Sequence, residues 1–233
     1  MSRLYILEIS VESVEAALAA ERGGAQRIEL CTNPREGGTT PSADLLRAAR
    51  ERVRIPIFTM IRPRASNFVY SDAEFAAMQR DIDTAKQLHA DGVVLGLLTA
   101  AKQIDVARAG QLVEHAKPLP VTFHRAFDES VDLSKSLEDA IKTGATRLLT
   151  SGGKTTAPEA LDVLANLVRI ANDRIVVMPG SGLHAGNIQE AVQKTNAREY
   201  HAGLSTVISC PAHNLDAFEE EVRKLAAALR SCN

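Results

Sequence analysis

Tryptophan is absent from the 233 residues, and the aromatic complement is completed by only six Phe and three Tyr. There is no basic excess either, with Lys+Arg 27 against Asp+Glu 29. A nucleic-acid groove draws on both, positive charge for phosphates and rings for stacking bases, so nucleic acid is not an expected partner. Long hydrophobic runs are also missing. The longest uncharged, largely apolar stretch, Gly92 to Ala101, is about half of what a membrane span requires. After Met1-Ser2-Arg3 the chain reaches Glu8 without a long apolar core or a small-residue cleavage site, so no signal peptide is expected. Cysteine is scarce: Cys31, Cys210 and Cys232 are odd in number and widely scattered, which suits a reducing cytoplasm better than a disulfide framework. What remains is an ordinary globular composition, 45% hydrophobic and 24% charged. No Gly/Ser linker, charge block or low-complexity stretch divides it, so residues 1–233 are read as one domain.

Short β-rich runs begin near Leu4, Gln26, Pro56, Gly92, Pro120, Thr146, Arg174 and Arg198, about 28 residues apart. Helical periodicity fills the intervals: Val11 to Arg22, Ser42 to Arg52, Asp72 to His89, Asp105 to Ala116, Leu133 to Thr143, Pro158 to Asn172, His184 to Lys194 and Leu215 to Leu229. Ser71-Asp72-Ala73-Glu74 has the form of a capping box. Strict alternation of strand and helix makes the strands parallel, since each helix carries the chain back to the starting edge. Eight such units in this length predict an α/β protein of one kind, a single (β/α)8 TIM barrel, with an open doubly wound sheet as the alternative. Gly24-Ala25-Gln26-Arg27-Ile28 reappears as Gly144-Ala145-Thr146-Arg147-Leu148, each ahead of a strand. A glycine past a helix end followed by a strand is a common turn device, and the repeat is read as that.

Side chains alternate along a strand, so polar residues of one parity share a face. Glu8 and Ser10 fall on one side of the first strand, Arg27, Glu29 and Cys31 of the second, Met60 and Arg62 of the third, Thr122 and His124 of the fifth, Glu199 and His201 of the eighth. Most lie late in their strands, and the C-terminal strand ends form the active face of such a barrel. Glu8, Glu29, Cys31, Arg62, His124 and His201 therefore ring one mouth. Some of these charges could instead pair structurally, as Glu29 with Arg27 or Arg62. As a set they point to a site, because buried charges are costly to desolvate.

Within that mouth His124 could serve as acid or base near neutral pH with Glu8 or Glu29 as its complement. Arg62, Arg64 and Arg125 suit bidentate recognition of carboxylate or phosphate, or else tie loops together through Asp128 or Glu36. Two glycines in Met178-Pro179-Gly180-Ser181-Gly182-Leu183 could turn backbone N–H groups toward an oxyanion ahead of the next helix, with Ala202-Gly203-Leu204-Ser205 completing the pocket. The bland alternative is a tight turn. Ser151-Gly152-Gly153 has the form of a second nest. His89, His115, His184 and His213 are placed on helices or at their ends, leaving His124 and His201 as the histidines of interest. No lysine stands late in a strand, Lys154 being in a loop, so a Schiff base has little support. These residues together fit an enzyme acting on a small anionic metabolite by acid/base chemistry.

At Ile61-Arg62-Pro63-Arg64, Thr122-Phe123-His124-Arg125-Ala126-Phe127-Asp128 and Leu149-Thr150-Ser151-Gly152-Gly153 the sequence resembles the CutC family, named for copper homeostasis. Glu29-Leu30-Cys31, Glu36-Gly37-Gly38-Thr39-Thr40-Pro41-Ser42 and Phe68-Val69-Tyr70-Ser71-Asp72 are similar to its other signatures, in the same order. The resemblance implies a TIM barrel, an oligomer that we expect to be a homodimer, a cytoplasmic role in copper homeostasis, and copper binding with Cys31 as ligand. Copper(I) favours thiolate and thioether donors with imidazole acceptable, so Cys31, Met60, His124 and His201 are the residues that could approach one ion. Cys31 could equally be a small buried apolar residue, and Met60 core. Glu8, Glu29 and the two histidines leave harder metals open, at no recognisable metal spacing. The sequence departs from the family pattern at Ala65-Ser66-Asn67, where many members carry Gly-Gly-Asp, and at Ala202-Gly203-Leu204-Ser205, where the common form is richer in serine.

Overall fold

The computed structural model describes residues 5–204, 208 and 214–232. The expectations placed on Leu4, Ser205, Cys210 and His213 lie outside them. Eight strands alternate with eight helices: β1 (Ile6–Val11), α1 (Val14–Gly23), β2 (Arg27–Leu30), α2 (Ala43–Arg52), β3 (Ile57–Met60), α3 (Asp72–Gln87), β4 (Gly92–Leu95), α4 (Val106–Ala116), β5 (Val121–Phe123), α5 (Leu133–Lys142), β6 (Arg147–Thr150), α6 (Leu161–Ala171), β7 (Val176–Pro179), α7 (Ile188–Thr195), β8 (Glu199–Ala202) and α8 (Leu215–Arg230). Every strand pair is parallel, in the order β7-β6-β5-β4-β3-β2-β1-β8. A parallel bridge between Gly180 and His201 brings the two ends together into a nearly closed barrel.

The alternation of side chains divides the interior in two. Leu7, Ile9, Ile28, Leu30, Ile57, Val93, Val121, Phe123 and Leu148 face outward and pack, fully buried, against the helices. The opposite parity points into the barrel, where a small separate apolar cluster, Cys31, Phe58, Met60 and Val94, occupies the β2–β4 side. Elsewhere the buried inward-facing residues include the charged Glu8, Arg27, Glu29 and Glu199 together with Thr122, Leu149 and Met178.

The helix starts obey side-chain capping. Ser13, Ser42, Asp105 and Asp132 each accept a backbone N–H from the first turn that follows, and Ser71 with Glu74 forms the full capping box. Three helix starts differ from expectation in a way the local residues explain. β1 continues through Val11, so α1 waits for the Ser13 cap and begins at Val14. Pro158 opens a 3-10 turn, Ala157–Ala160, and α6 proper starts at Leu161. Asn187 folds back, accepting from the His184 N–H and donating to the Gly182 carbonyl, so α7 begins only at Ile188. The repeated Gly-Ala pair is explained by φ: Gly24 at +99° and Gly144 at +83° turn the chain from helix to strand in a conformation that disfavours a side chain.

Candidate functional site at the barrel mouth

The charges inside the barrel form one connected network. Arg27, almost fully buried, donates through Nε to Glu8 and through Nη2 to Glu199 at 2.5 Å, and Arg147 donates to the same Glu199 oxygen at 2.9 Å. His201 Nδ1 meets the other Glu8 oxygen at 2.8 Å. Burial works against the Glu8 charge, but Arg27 and His201 outweigh it and hold the carboxyl down at about 2. Burial also opposes the imidazolium of His201, yet Glu29 and Glu8 beside it raise its pKa above the ordinary value. Glu29 differs from Glu8: burial and the Glu8 charge push it up, and its Oε2 has no hydrogen-bond partner. Glu8, Glu29 and His201 have donor atoms within 4.8 Å of one another.

Above this floor opens a cavity of about 1150 Å³ at the C-terminal ends of the strands. Its wall includes Ser10, Glu29, Cys31, Met60, Arg62, Phe68, His124, Arg125, Asp128, Gly182 and His201. Cys31 Sγ lies 3.5 Å from Ser10 Oγ, and burial pushes its thiol up to about 12. A Cβ placed on Gly38 would lie 3.3 Å from Cys31 Sγ and 3.2 Å from Met60 Cε, so the thiol and the methionine tip sit side by side under this glycine.

Several residues expected at the mouth do other work. Glu8 is not on the cavity wall, and both its oxygens are committed to Arg27 and His201. It positions His201, and each of its oxygens already accepts one hydrogen bond. His124 lines the cavity, and burial and the neighbouring Arg62 charge hold its pKa at about 3, so its imidazole is neutral near pH 7. Arg64 turns away, pairing with Glu74, donating to the Asn67 and Val69 carbonyls and lying over the Tyr70 ring. The Ser151-Gly152-Gly153 nest is filled from within. Asp128 accepts from the N–H of Ser151 and of Gly153, from the hydroxyls of Thr150 and Ser151, and from Arg125. Gly152 donates its N–H to Thr150 Oγ1. Arg125, Asp128 and Ser151 are thus a loop staple. Gly180 spends its N–H on the Thr150 carbonyl, and α7 begins only at Ile188, six residues after Gly182. Phe68 and Ser10 were not among the expected site residues, and neither carries a charge that would mark it.

Because the folded pKa of Glu8 is depressed, its contribution to stability is fully present above the ordinary value of 4.5 and is lost as pH falls toward about 2. Urea unfolding between those limits is expected to show a loss on the order of 3 kcal/mol, and a Glu8→Gln variant should lack that part of the pH dependence.

The comparisons with known proteins follow this geometry. A model of the CutC family matches residues 5–206. The chain belongs to the CutC family. Its CutC relatives include a family protein CutC of Xanthomonas axonopodis pv. citri, 48% identical over 203 residues that cover 87% of this chain and 85% of that one. A human protein named copper homeostasis protein cutC homolog is 47% identical over 197 residues, 84% of this chain and 72% of its own. The crystal structure of CutC from Streptococcus agalactiae superimposes with a TM-score of 0.80 at 35% identity, covering 85% of this chain and 98% of that one. The CutC motifs converge on the mouth: Glu29-Leu30-Cys31 supplies two wall residues, Gly37-Gly38 covers Cys31, and Arg62 and His124 form a further stretch of wall. Ser66 sits at φ +83°, a left-handed conformation that favours glycine, and its carbonyl accepts from Arg62. Among the described residues no helix is long and apolar enough to cross a membrane.

Proposed function

We propose that this CutC-family chain takes part in copper homeostasis by holding copper(I) at the wall of the barrel mouth. The observation that carries this reading is the juxtaposition of Cys31 and Met60 under Gly38, a thiol and a thioether bordering one cavity. Soft sulfur donors are those that copper(I) prefers, and the names of the relatives point the same way. With burial pushing the thiol pKa up to about 12, the ion must displace a proton from Cys31. The other cysteine among the described residues, Cys232, follows α8 near the C-terminus.

The test is an anaerobic competition titration of reduced protein against a copper(I) chelator. Wild type is expected to take one ion per chain, with affinity reduced on the order of 100-fold in Cys31→Ala and about 10-fold in Met60→Leu. Binding that survives Cys31→Ala undiminished overturns the assignment. Light scattering on the same sample is expected to give twice the 25.1 kDa chain mass, in line with a cytoplasmic homodimer.

A second reading, acid/base chemistry on a small anionic molecule, is favoured by one observation: Glu29 keeps an unpartnered buried oxygen beside an imidazole whose pKa is raised. Turnover found in a metabolite screen and abolished by Glu29→Gln would support it, and turnover that persists in the variant removes Glu29 from the chemistry.

A further inference from the structure

Arg27 and Arg147 account for two of the three carboxylates buried inside the barrel: Glu8 accepts from Arg27, and Glu199 accepts from both. Glu29 is the carboxylate left over. It is 4% exposed, no lysine or arginine among the described residues pairs with it, and its Oε2 has no hydrogen-bond partner. Its strongest charge interactions are with His201 and Glu8. Donor atoms of Glu8, Glu29 and His201 all lie within 4.8 Å of one another. A buried carboxylate oxygen is costly to leave without a partner, and the neighbours on hand are a second carboxylate and an imidazole.

Within this cluster Glu8 Oε1 and His201 Nδ1 stand 2.8 Å apart, with a shared proton between them. Two bonds of about 2.0–2.2 Å, the length of zinc bonds to carboxylate and imidazole, span that separation at roughly a right angle. Arg27 holds the other Glu8 oxygen and is itself held by Glu199, which fixes the carboxylate from behind as outer-shell partners of metal ligands do. We propose that Glu8, Glu29 and His201 form a zinc(II) site, in which the ion takes the place of the proton between Glu8 and His201 and gives the Glu29 carboxylate its partner. The donor set decides the class of ion. Two carboxylates and an imidazole suit zinc, whereas magnesium and calcium take oxygen donors and copper(I) favours sulfur. The charge count agrees: once the imidazole gives up its proton, Glu8, Glu29 and Glu199 face only Arg27 and Arg147, and the ion supplies the missing positive charge. Glu29 and His201 border the barrel-mouth cavity, so the ion enters from there, and three protein ligands leave zinc a fourth position for water. The site uses neither Cys31 nor Met60 and stands apart from the copper reading.

The experiment uses the full, reduced chain freed of metal by a chelator, with zinc alone as the probe. Calorimetry is expected to give one zinc ion per chain, accompanied by a rise in melting temperature and a displaced 15N resonance at His201 Nδ1. Glu29→Gln keeps the shape and removes the charge. Because nothing pairs with the free oxygen, this variant should melt near wild type without metal and bind zinc on the order of 100-fold more weakly. Cys31→Ala should bind zinc as wild type does, which separates this result from the fate of the copper titration. Cobalt(II) in place of zinc reports the donors directly: wild type and Cys31→Ala should share one visible spectrum without a thiolate charge-transfer band. No uptake at about 100 µM zinc, uptake undiminished in Glu29→Gln, or uptake lost in Cys31→Ala overturns the proposal. An unmoved His201 resonance in zinc-loaded wild type overturns it as well, however the variants fold.

Discussion

Arg27→Met is expected to destabilise the protein by about 3–5 kcal/mol, the largest single effect at any charged residue. The guanidinium bridges Glu8 and Glu199 across the barrel interior, and both carboxylates are buried. Methionine fills much of the volume but leaves Glu8 with only His201 and Glu199 with only Arg147. The loss comes chiefly from stranding negative charge in a low-dielectric interior, since the net value of the intact pair is small. Removing one stranded charge should therefore help: Arg27→Met combined with Glu8→Gln is expected to lie closer to wild type than Arg27→Met alone. Urea unfolding of the three variants and wild type decides it, and a cost below about 1 kcal/mol for Arg27→Met would show that water reaches the network.

Asp128→Ala is expected to be the second most severe change, costing about 2–4 kcal/mol, because one carboxylate satisfies two backbone N–H groups, two hydroxyls and Arg125. The vacancy left by the side chain is shaped for a small anion. Formate added to the variant should occupy it and restore part of the melting temperature, while wild type, whose nest is already filled, should gain much less there. Equal gains in both proteins would mean that the loop collapses when Asp128 is lost.

The architecture was readable because it depends on short-range patterns. Leu7 and Ile9, or Ile28 and Leu30, advertise an outward apolar parity within their own strands, and Ser71 with Glu74 marks a helix start within four residues. The location of the site at the strand ends follows from the same alternation. Partner choice does not, because barrel closure decides it. Glu8 finds His201 193 positions away and Arg27 finds Glu199 172 positions away, only because β1 lies beside β8. The tie of Arg125 to Asp128 is one of the two readings the sequence leaves open, whereas the union of that carboxylate with the Ser151 nest depends on the β5 and β6 loops lying together. The state of His124 is out of reach of the sequence for a related reason: it depends on burial and on the charge beside it, and neither Phe68 nor Arg62 is its neighbour in sequence. Arg64 was assigned with Arg62 because their letters match. Both follow Met60, the last residue of β3, where strand parity no longer sets direction, so one lines the mouth and the other lies along the surface loop.

The bridge between Gly180 and His201 carries a mechanical implication. His201 joins the last strand to β7 through its backbone while its side chain grips Glu8 and borders the cavity. The seam of the barrel and the floor of the site are thus the same residue. A ligand that engages the imidazole also fastens the seam, and its arrival should be felt as slower hydrogen exchange along β7 and β8, well beyond the atoms it touches.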